Sequence, residues 1–441
     1  MRMELTRRQL LAALGKAAAL SPLYSLAFSQ AGCGGGGASG PASGGGGGGF
    51  NETDDQLLDD IERAGFLFFW EQTDPATGQV KDRALAIGND SRTLSSIAAT
   101  GFGLTVLCIG HQRGYGVTAN ITNRVRTTLN FLLNQMPSQN GFFYHFVDMS
   151  TGARAGTSEV SSIDTAILLC GVLTCRAHFQ DAQINSLATQ LYERVDWNWM
   201  LNGGTTFSMG WTPENGFITT RWDTYSELMM LYLLALSSPT HSIPASSWTA
   251  WSRPIMQYQG MTYISGAPPL FVHQYSHAWF DFRNKRDAFA DYFQNSITAT
   301  QAHKLFCLSL APSFSDYTDG LWGVTASDSV HGYVAWGGPP SLGPIDGTVV
   351  PAAAGGSVAF LFPDTLRVLR TMRSIYGAQA WKRYGFVDAF NPLTGWYDPD
   401  VLGIDLGIMV LMAENARTQF VWNTFMQNPE AGLAMQLAGF H

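Results

Sequence analysis

Glu227 is the first residue whose setting suggests chemistry. It follows Trp222, Asp223, Thr224, Tyr225 and Ser226 and leads into Leu228, Leu231, Leu234 and Ala235, an apolar face at helical spacing that Ser238-Pro239-Thr240-His241 brings to an end. Asp223 or Thr224 is placed to cap that helix. A carboxylate in the first turn, above a buried stripe and beside two aromatic rings, is partly desolvated yet open to a cleft. Desolvation raises a carboxyl pKa toward working pH, which suits a general acid. The plainer alternative is an acid held at a helix start by the helix dipole.

Two more acids share this setting. Asp164 stands in Ser161-Ser162-Ile163-Asp164-Thr165, three and four residues before Ile167 and Leu168, and Asp405 stands in Gly403-Ile404-Asp405-Leu406-Gly407 before Ile408 and Met409. Each heads an otherwise apolar stripe. A solitary acid there costs several kcal/mol unless it is paired or functional. The alternative for each is a bond to a neighbouring helix start.

The loops supply candidate ligand contacts. His273, His277 and Asp281 follow one another at i, i+4 spacing, which could ligate a metal, but the run lacks the internal Glu of the zinc-protease motif. Gln274 and Tyr275 beside them suit hydroxyl recognition, so no metal or cofactor is expected. Trp322-Gly323-Val324-Thr325-Ala326-Ser327-Asp328, with Tyr333 and Trp336 after it, offers aromatic platforms and one acid, and Asp346-Gly347-Thr348 reads as a turn. Asp90-Ser91-Arg92 is placed to cap a helix, with Arg92 fixing an acid or touching substrate. Trp222 and Tyr225 complete the expected contacts. The chain has no Walker loop, paired CxxC, dinucleotide fingerprint or Gly-x-Ser-x-Gly elbow.

These residues must be positioned by helices of two kinds. Amphipathic segments near 54–70, 118–135, 183–201 and 364–377 alternate with segments apolar on every face near 92–110, 159–177, 224–236 and 401–414; 286–309 and 351–362 are less clean. A helix apolar all round is buried all round. The buried starts, near 92, 159, 224, 288, 357 and 401, recur at intervals of mostly about 65 residues, enough for a helix pair with its connections. This alternation predicts an all-α (α/α)6 barrel, an inner ring wrapped by an outer one, with its cleft where inner helices begin. Gly141 to Phe146 and Phe207 to Thr219 read as loop hairpins.

Among 441 residues, 46% are apolar and 14% charged, enough for a large core in a single catalytic body over 51–441. The net charge of −8 offers no basic stripe for nucleic acid. Thirteen Trp and fifteen Tyr suit a sugar-binding cleft as well as core filling. Residues 1–33 resemble a twin-arginine export signal, Thr6-Arg7-Arg8-Gln9-Leu10-Leu11, ending in the lipoprotein-like Gln30-Ala31-Gly32-Cys33. Removal of residues 1–32 takes away Arg2, Arg7, Arg8, Lys16 and Glu4 and deepens the charge to −11. Residues 34–50, nearly all Gly, Ala and Ser, read as a flexible tether with a reach of roughly 20–25 Å. The expected location is periplasmic or membrane-tethered through Cys33. Of the other cysteines, Cys170 and Cys175 point apart on one helix, and Cys108 and Cys307 read as small buried thiols.

Longer motifs carry a resemblance. Gly210-Trp211-Thr212-Pro213-Glu214-Asn215-Gly216-Phe217, Tyr225-Ser226-Glu227, Ser238-Pro239-Thr240-His241, Phe271 through His277, Asp281-Phe282-Arg283, Asp291 through Ser296 and Tyr384 through Asn391 together resemble the glycoamylase domain family, which includes the β-1,2-glucanases of glycoside hydrolase family 144. The resemblance covers about Asp55 to Phe440. It implies an (α/α)6 toroid that hydrolyses β-1,2-linked glucose polymers with inversion, endo or exo, with its acid at Glu227, an acid of the first inner-helix motif at Asp164 and a base at Asp405. Leu406 departs from the family pattern, where a polar residue is usual. A non-catalytic glucan-binding surface lipoprotein is the alternative; an α-glucan hydrolase and a polysaccharide lyase come after it, the lyase disfavoured by a mature charge of −11 with no basic cluster.

Overall fold

Ser96 and Ser161 begin two of the buried helices by accepting hydrogen bonds from the backbone N–H groups of Ala99 and Asp164, three residues on. The computed structural model describes residues 52–441; the expected export signal, the Gly-rich tether and Cys33 lie outside the described residues. Helix α1 (Glu52–Glu71) is followed by α2 (Ile97–Arg113), α3 (Thr118–Asn134), α4 (Ser162–His178), α5 (Ala182–Glu193) and α6 (Met229–Leu236). Further along come α7 (Tyr292–Ser309), α8 (Pro351–Gly355), α9 (Phe362–Ile375) and α10 (Gly403–Thr418), then α11 (Phe420–Phe425) and α12 (Pro429–Leu437).

Hydropathy sorts these into two rings. Helix α2 is buried from Ile97 to Gly110, α4 from Ser162 to Cys175 and α6 throughout, whereas α3 buries one stripe, Ile121, Val125, Thr128, Leu129 and Leu132. Helix α10 packs on α1, α2 and α8, α2 on α4, and α4 on α6, while α3 and α5 lie outside against each other. The result is the (α/α)6 toroid expected from the alternation.

The fourth inner place differs from expectation. The segment near 288 becomes α7, whose buried and part-exposed residues alternate, and the inner place is filled by two 3-10 turns, Leu270–His273 and Tyr275–Ala278, inside the buried run Leu270 to Phe280. Pro268 and Pro269 precede that run, and so short an apolar stretch carries little helical periodicity. The C-terminal α12 packs on α6, where the local outer helix is only Ser246–Thr249.

Inner helices also start later than their apolar runs. Leu94–Ser96 pairs with Phe146–Asp148, and Val160–Ser161 with Gly210–Thr212, so the residues before each cap are short strands. Gly210–Thr212 forms a hairpin with Gly216–Phe217, and Phe142–Phe143 one with Ser138–Gln139, whereas the pairings that precede the inner helices tie distant loops to the helix starts.

Ring closure rests on close helix approach. A Cβ on Gly171 would stand 2.1 Å from the Gly101 carbonyl oxygen, and one on Gly101 would stand 2.6 Å from the Ile167 oxygen. The two backbones therefore touch. All four described cysteines are buried and free, and Cys175 meets Cys108 across this contact with sulfurs 3.6 Å apart. Gly171→Ala is expected to push α2 from α4 and lower the unfolding free energy by about 1–3 kcal/mol, read as a lower urea midpoint; an unchanged midpoint would show that the ring accepts wider spacing.

Candidate active site

Strand pairing brings distant loops to the inner-helix starts. Arg83–Leu85 runs antiparallel to Asp400–Leu402, and the Gly403 N–H that opens α10 donates to the Asp82 carbonyl at 2.8 Å. The Ile97 N–H of α2 donates to the His145 carbonyl at 3.1 Å, and the His145 N–H to the Glu159 carbonyl at 2.8 Å. The first turns of α10, α2 and α4 are thus stitched along one rim.

Asp164 is the third residue of α4 and 4% exposed. Its N–H donates to Ser161 Oγ at 3.1 Å, and the Ser161 hydroxyl donates back to Asp164 Oδ2, so cap and acid hold each other. His145 Nδ1 lies 3.3 Å from Glu159 Oε1 and 3.8 Å from Asp164 Oδ2. Asp164 is therefore at the rim with an imidazole and a second carboxylate beside it.

Asp405, third in α10 and 4% exposed, lies within a larger acid set. The hairpin of Phe390–Asn391 and Trp396–Tyr397 carries Asp388 on one arm and Asp398 on the other. Asp388 Oδ2 accepts from the Asp328 N–H at 2.8 Å, and Asp398 Oδ1 from the Asp400 N–H at 3.0 Å. Burial first, and then the charges of Asp405, Asp328 and Asp398, hold the Asp388 carboxyl well above the usual range. Burial and the Asp328 charge push Asp398 up to about 8. Arg83 is the counter-charge, 2.5 Å from Asp328 and 3.1 Å from Asp82; burial opposes its charge, and the two aspartates outweigh burial. Asp388 and Asp398, each raised by neighbouring acids, titrate as part of this set rather than singly.

Glu227 departs from its expected setting. Helix α6 begins at Met229 with Leu228 as an uncapped start, so Glu227 precedes the helix, and it is wholly buried rather than open to a cleft. Asp223 and Thr224 do not cap: the Asp223 carbonyl accepts from the Ser252 N–H at 2.8 Å, and Thr224 pairs with Ser252 as a parallel bridge. Ser276 takes over the capping. Its hydroxyl donates to the Glu227 carbonyl at 2.7 Å and accepts from the Met230 N–H at 3.0 Å, so the 3-10 turn fixes Glu227 from the next inner place.

Most of the expected contact residues form the wall behind the site. Trp222, Tyr225, His273, Gln274, Tyr275, His277 and Trp322 are each at most 3% exposed, which corrects their role as open contact surfaces. Trp222 Nε1 donates to Ser162 Oγ at 2.9 Å, the Tyr225 hydroxyl bonds His273 Nδ1 at 3.2 Å, and Gln274 Nε2 donates to Ser357 Oγ at 2.8 Å. Tyr275 packs on Phe102 and Phe271, and His277 Nε2 lies 3.1 Å from Ser296 Oγ. Burial pushes His273 and His277 down to about 3, so neither ring carries charge. Asp281 is turned to Arg283 at 2.8 Å and does not join them.

Arg92, Asp328 and Tyr333 lie nearer the surface. Arg92 is bidentate to Asp400, with both contacts at 2.6 Å, and also grips Asp90, so it fixes acids. Asp90 does not cap α2, since Ser96 does, and instead accepts from the Leu85 N–H. Asp328 is 8% exposed, and Tyr333 is half-buried.

Sequence reasoning missed His145, Glu159, Asp388 and Asp398. Asp388 lay inside a quoted family-like run, and Tyr397-Asp398-Pro399-Asp400 doubles an acid beside it; His145 carried no local signal. His145, Glu159 and Asp164 each place a ligand atom within 4.8 Å of the others, as do Asp328, Asp388 and Asp398. Either set has the donors of a cation site. The guanidinium on Asp328 and the raised Asp388 and Asp398 fit proton sharing in the second.

Residues 219–429 match a family model, Glycoamylase, described as "Putative glucoamylase". This chain is 26% identical over 423 residues, 87% of its own length, to an exo β-1,2-glucooligosaccharide sophorohydrolase (non-reducing end) of Parabacteroides distasonis. The chain spans 58% of that relative's length. Its structure matches a putative glucoamylase from Bacteroides uniformis with TM-score 0.83 and 26% identity, covering 89% of this chain and 99% of that one. It also matches an endo-β-1,2-glucanase from Chitinophaga pinensis, solved with sophorotriose and glucose, with TM-score 0.81 and 26% identity over 88% and 98% of the two chains.

The acid set makes stability depend on pH. Folded Asp398 keeps a proton up to about pH 8 that the unfolded chain releases near pH 4, so its contribution is full below about 4 and lost as pH rises through 8. Relative to Asp398→Asn, the native chain should lose stability between those pH values, by at most about 1.4 kcal/mol per pH unit for one proton. Parallel melting curves of the two chains across that range would refute the assignment.

Proposed function

We propose that this chain is a glycoside hydrolase that cleaves β-1,2-linked glucan or its oligosaccharides with inversion. The observation that carries the reading is the placement of Glu227, Asp164 and Asp405 at three inner-helix starts, in a chain 26% identical to the Chitinophaga endo-β-1,2-glucanase over 88% of its length. Glu227 is the general acid. It protonates the leaving oxygen directly or through a substrate hydroxyl. Asp405 or Asp164 activates water on the opposite face of the sugar; inversion needs about 6.5–9.5 Å between acid and base to admit that water.

The acids missed in the sequence support this division of work. Asp388, whose carboxyl burial and the charges of Asp405 and its neighbours hold well above the usual range, stands ready to hold a proton beside Asp405. Arg83 and Arg92 hold Asp328 and Asp400 in place around them. His145 is positioned to orient Asp164 or to relay its proton.

The test is hydrolysis of linear β-1,2-glucan, with starch and laminarin in parallel and Glu227→Gln as control. Short β-1,2-oligosaccharides whose reducing ends form first in the α configuration are expected by NMR, and Glu227→Gln should lose about 10²–10⁴-fold in rate. Release of sophorose from the start of the reaction would mark exo action, and a spread of lengths endo action. No cleavage of any of the three, with retained binding, would replace this reading with a glucan-binding protein.

We also propose that residues 1–33 direct export and that Cys33 carries a lipid, with residues 34–50 holding the body off a membrane. Mass spectrometry of the N-terminal peptide from expressing cells should find acylated Cys33. An unmodified Cys33 or an uncleaved leader would rule the anchor out.

A further inference from the structure

The end of the toroid opposite the acid rim holds a cavity. Helices α2, α4 and α10 begin at the acid rim and end at Arg113, His178 and Thr418, about 25 Å away for a 17-residue helix. Gln419 follows α10 in a left-handed conformation, φ 62°, and turns the chain so that α11 crosses the ends of α2 and α4. Between α11 and those ends lies a trough of about 530 Å³, within the roughly 300–1,000 Å³ usual for small-molecule sites.

Its walls specify a neutral polar ligand. Arg113, the lining guanidinium, is already bound to Glu414 at 2.7 and 2.9 Å, so the pair contributes no net charge. His178 shares a 2.8 Å hydrogen bond with His111, and burial and that neighbour push it down to about 4, which leaves it uncharged at neutral pH. The other polar side chains include the exposed amides of Gln112, Gln180 and Asn423. An amide presents a donor and an acceptor side by side, the pattern that meets adjacent hydroxyls. Phe420 stands among them half-buried, with an apolar ring for the face of a sugar. An anion would find no free cation among these walls, and a purely apolar ligand would strand the amides.

We propose that this trough is a second saccharide site that holds a neutral gluco-oligosaccharide of about disaccharide size, remote from the cleavage site. It rests on the proposed hydrolase reading for the identity of the sugar. A site there retains a glucan chain or its product on the protein without occupying the acid rim.

The test titrates sophorose calorimetrically into the full chain carrying Glu227→Gln, alone and combined with Asn423→Ala or Phe420→Ala. A binding event weakened at least tenfold by either added substitution is expected, while Asn423→Ala in the otherwise native chain leaves glucan turnover within twofold. Asn423 is exposed, so its substitution tests the site even if Phe420→Ala disturbs folding. Sophorose binding insensitive to both substitutions, or no binding at all, overturns the inference. Turnover of β-1,2-glucan by the native chain, measured alongside, separates the two readings: hydrolysis without a rear event removes only the second site, and a rear event without hydrolysis removes only the hydrolase.

Discussion

Backbone contact between neighbouring inner helices is the constraint on which the site depends. Where α2 and α4 touch at Gly101 and Gly171, no side chain separates them, and on the other side Gly407 of α10 leaves room for the Phe102 ring of α2. Helices this close have one relative height. Their first turns therefore arrive at a common level, and Asp164 and Asp405, each third in its helix, reach the same rim. The precision that acid–base chemistry requires comes from packing at positions with no side chain at all.

That rim is then locked by strands too short to stand alone. Two or three residues of pairing would be unstable in isolation, but here each strand is continuous with a packed helix. Arg83–Leu85 and Asp400–Leu402 join segments more than three hundred residues apart, and the same junction sets Arg83 against Asp328 and Arg92 against Asp400. Arginine is suited to this because its planar fork grips a carboxylate at two points.

The alternation of helices was legible because burial on one face or on all faces leaves a direct mark on residue choice. The six starts were less so. The apolar runs of α2 and α4 extend back through Leu94–Ser96 and Val160–Ser161, which the chain uses as strands, and hydropathy alone does not separate a buried strand from a buried helix turn. Near Leu270 the inner place is made of two single turns, shorter than any period can reveal. The aromatics around Glu227 were visible as a group, yet their number could not tell a ligand platform from a wall: Tyr225 is spent on His273 and Tyr292. Asp388 and Asp398 belong to a hairpin whose acids meet Asp405 only in the folded ring.

The acids fall into two environments with different physical consequences. Asp164 and Asp405 occupy first helical turns, where backbone N–H groups and the positive end of the helix dipole face an oxygen. Asp388 and Asp398 sit on a loop hairpin without that dipole, deep among other carboxylates, and are pushed toward the protonated form. One residue type thus occupies two unlike environments around the rim, and Arg83 sets a positive charge against the acids of the hairpin side. Such a difference matters wherever one carboxyl must give a proton and another must take one. Here it arises from where each acid sits relative to a helix, and the close packing of the inner ring keeps the difference in place.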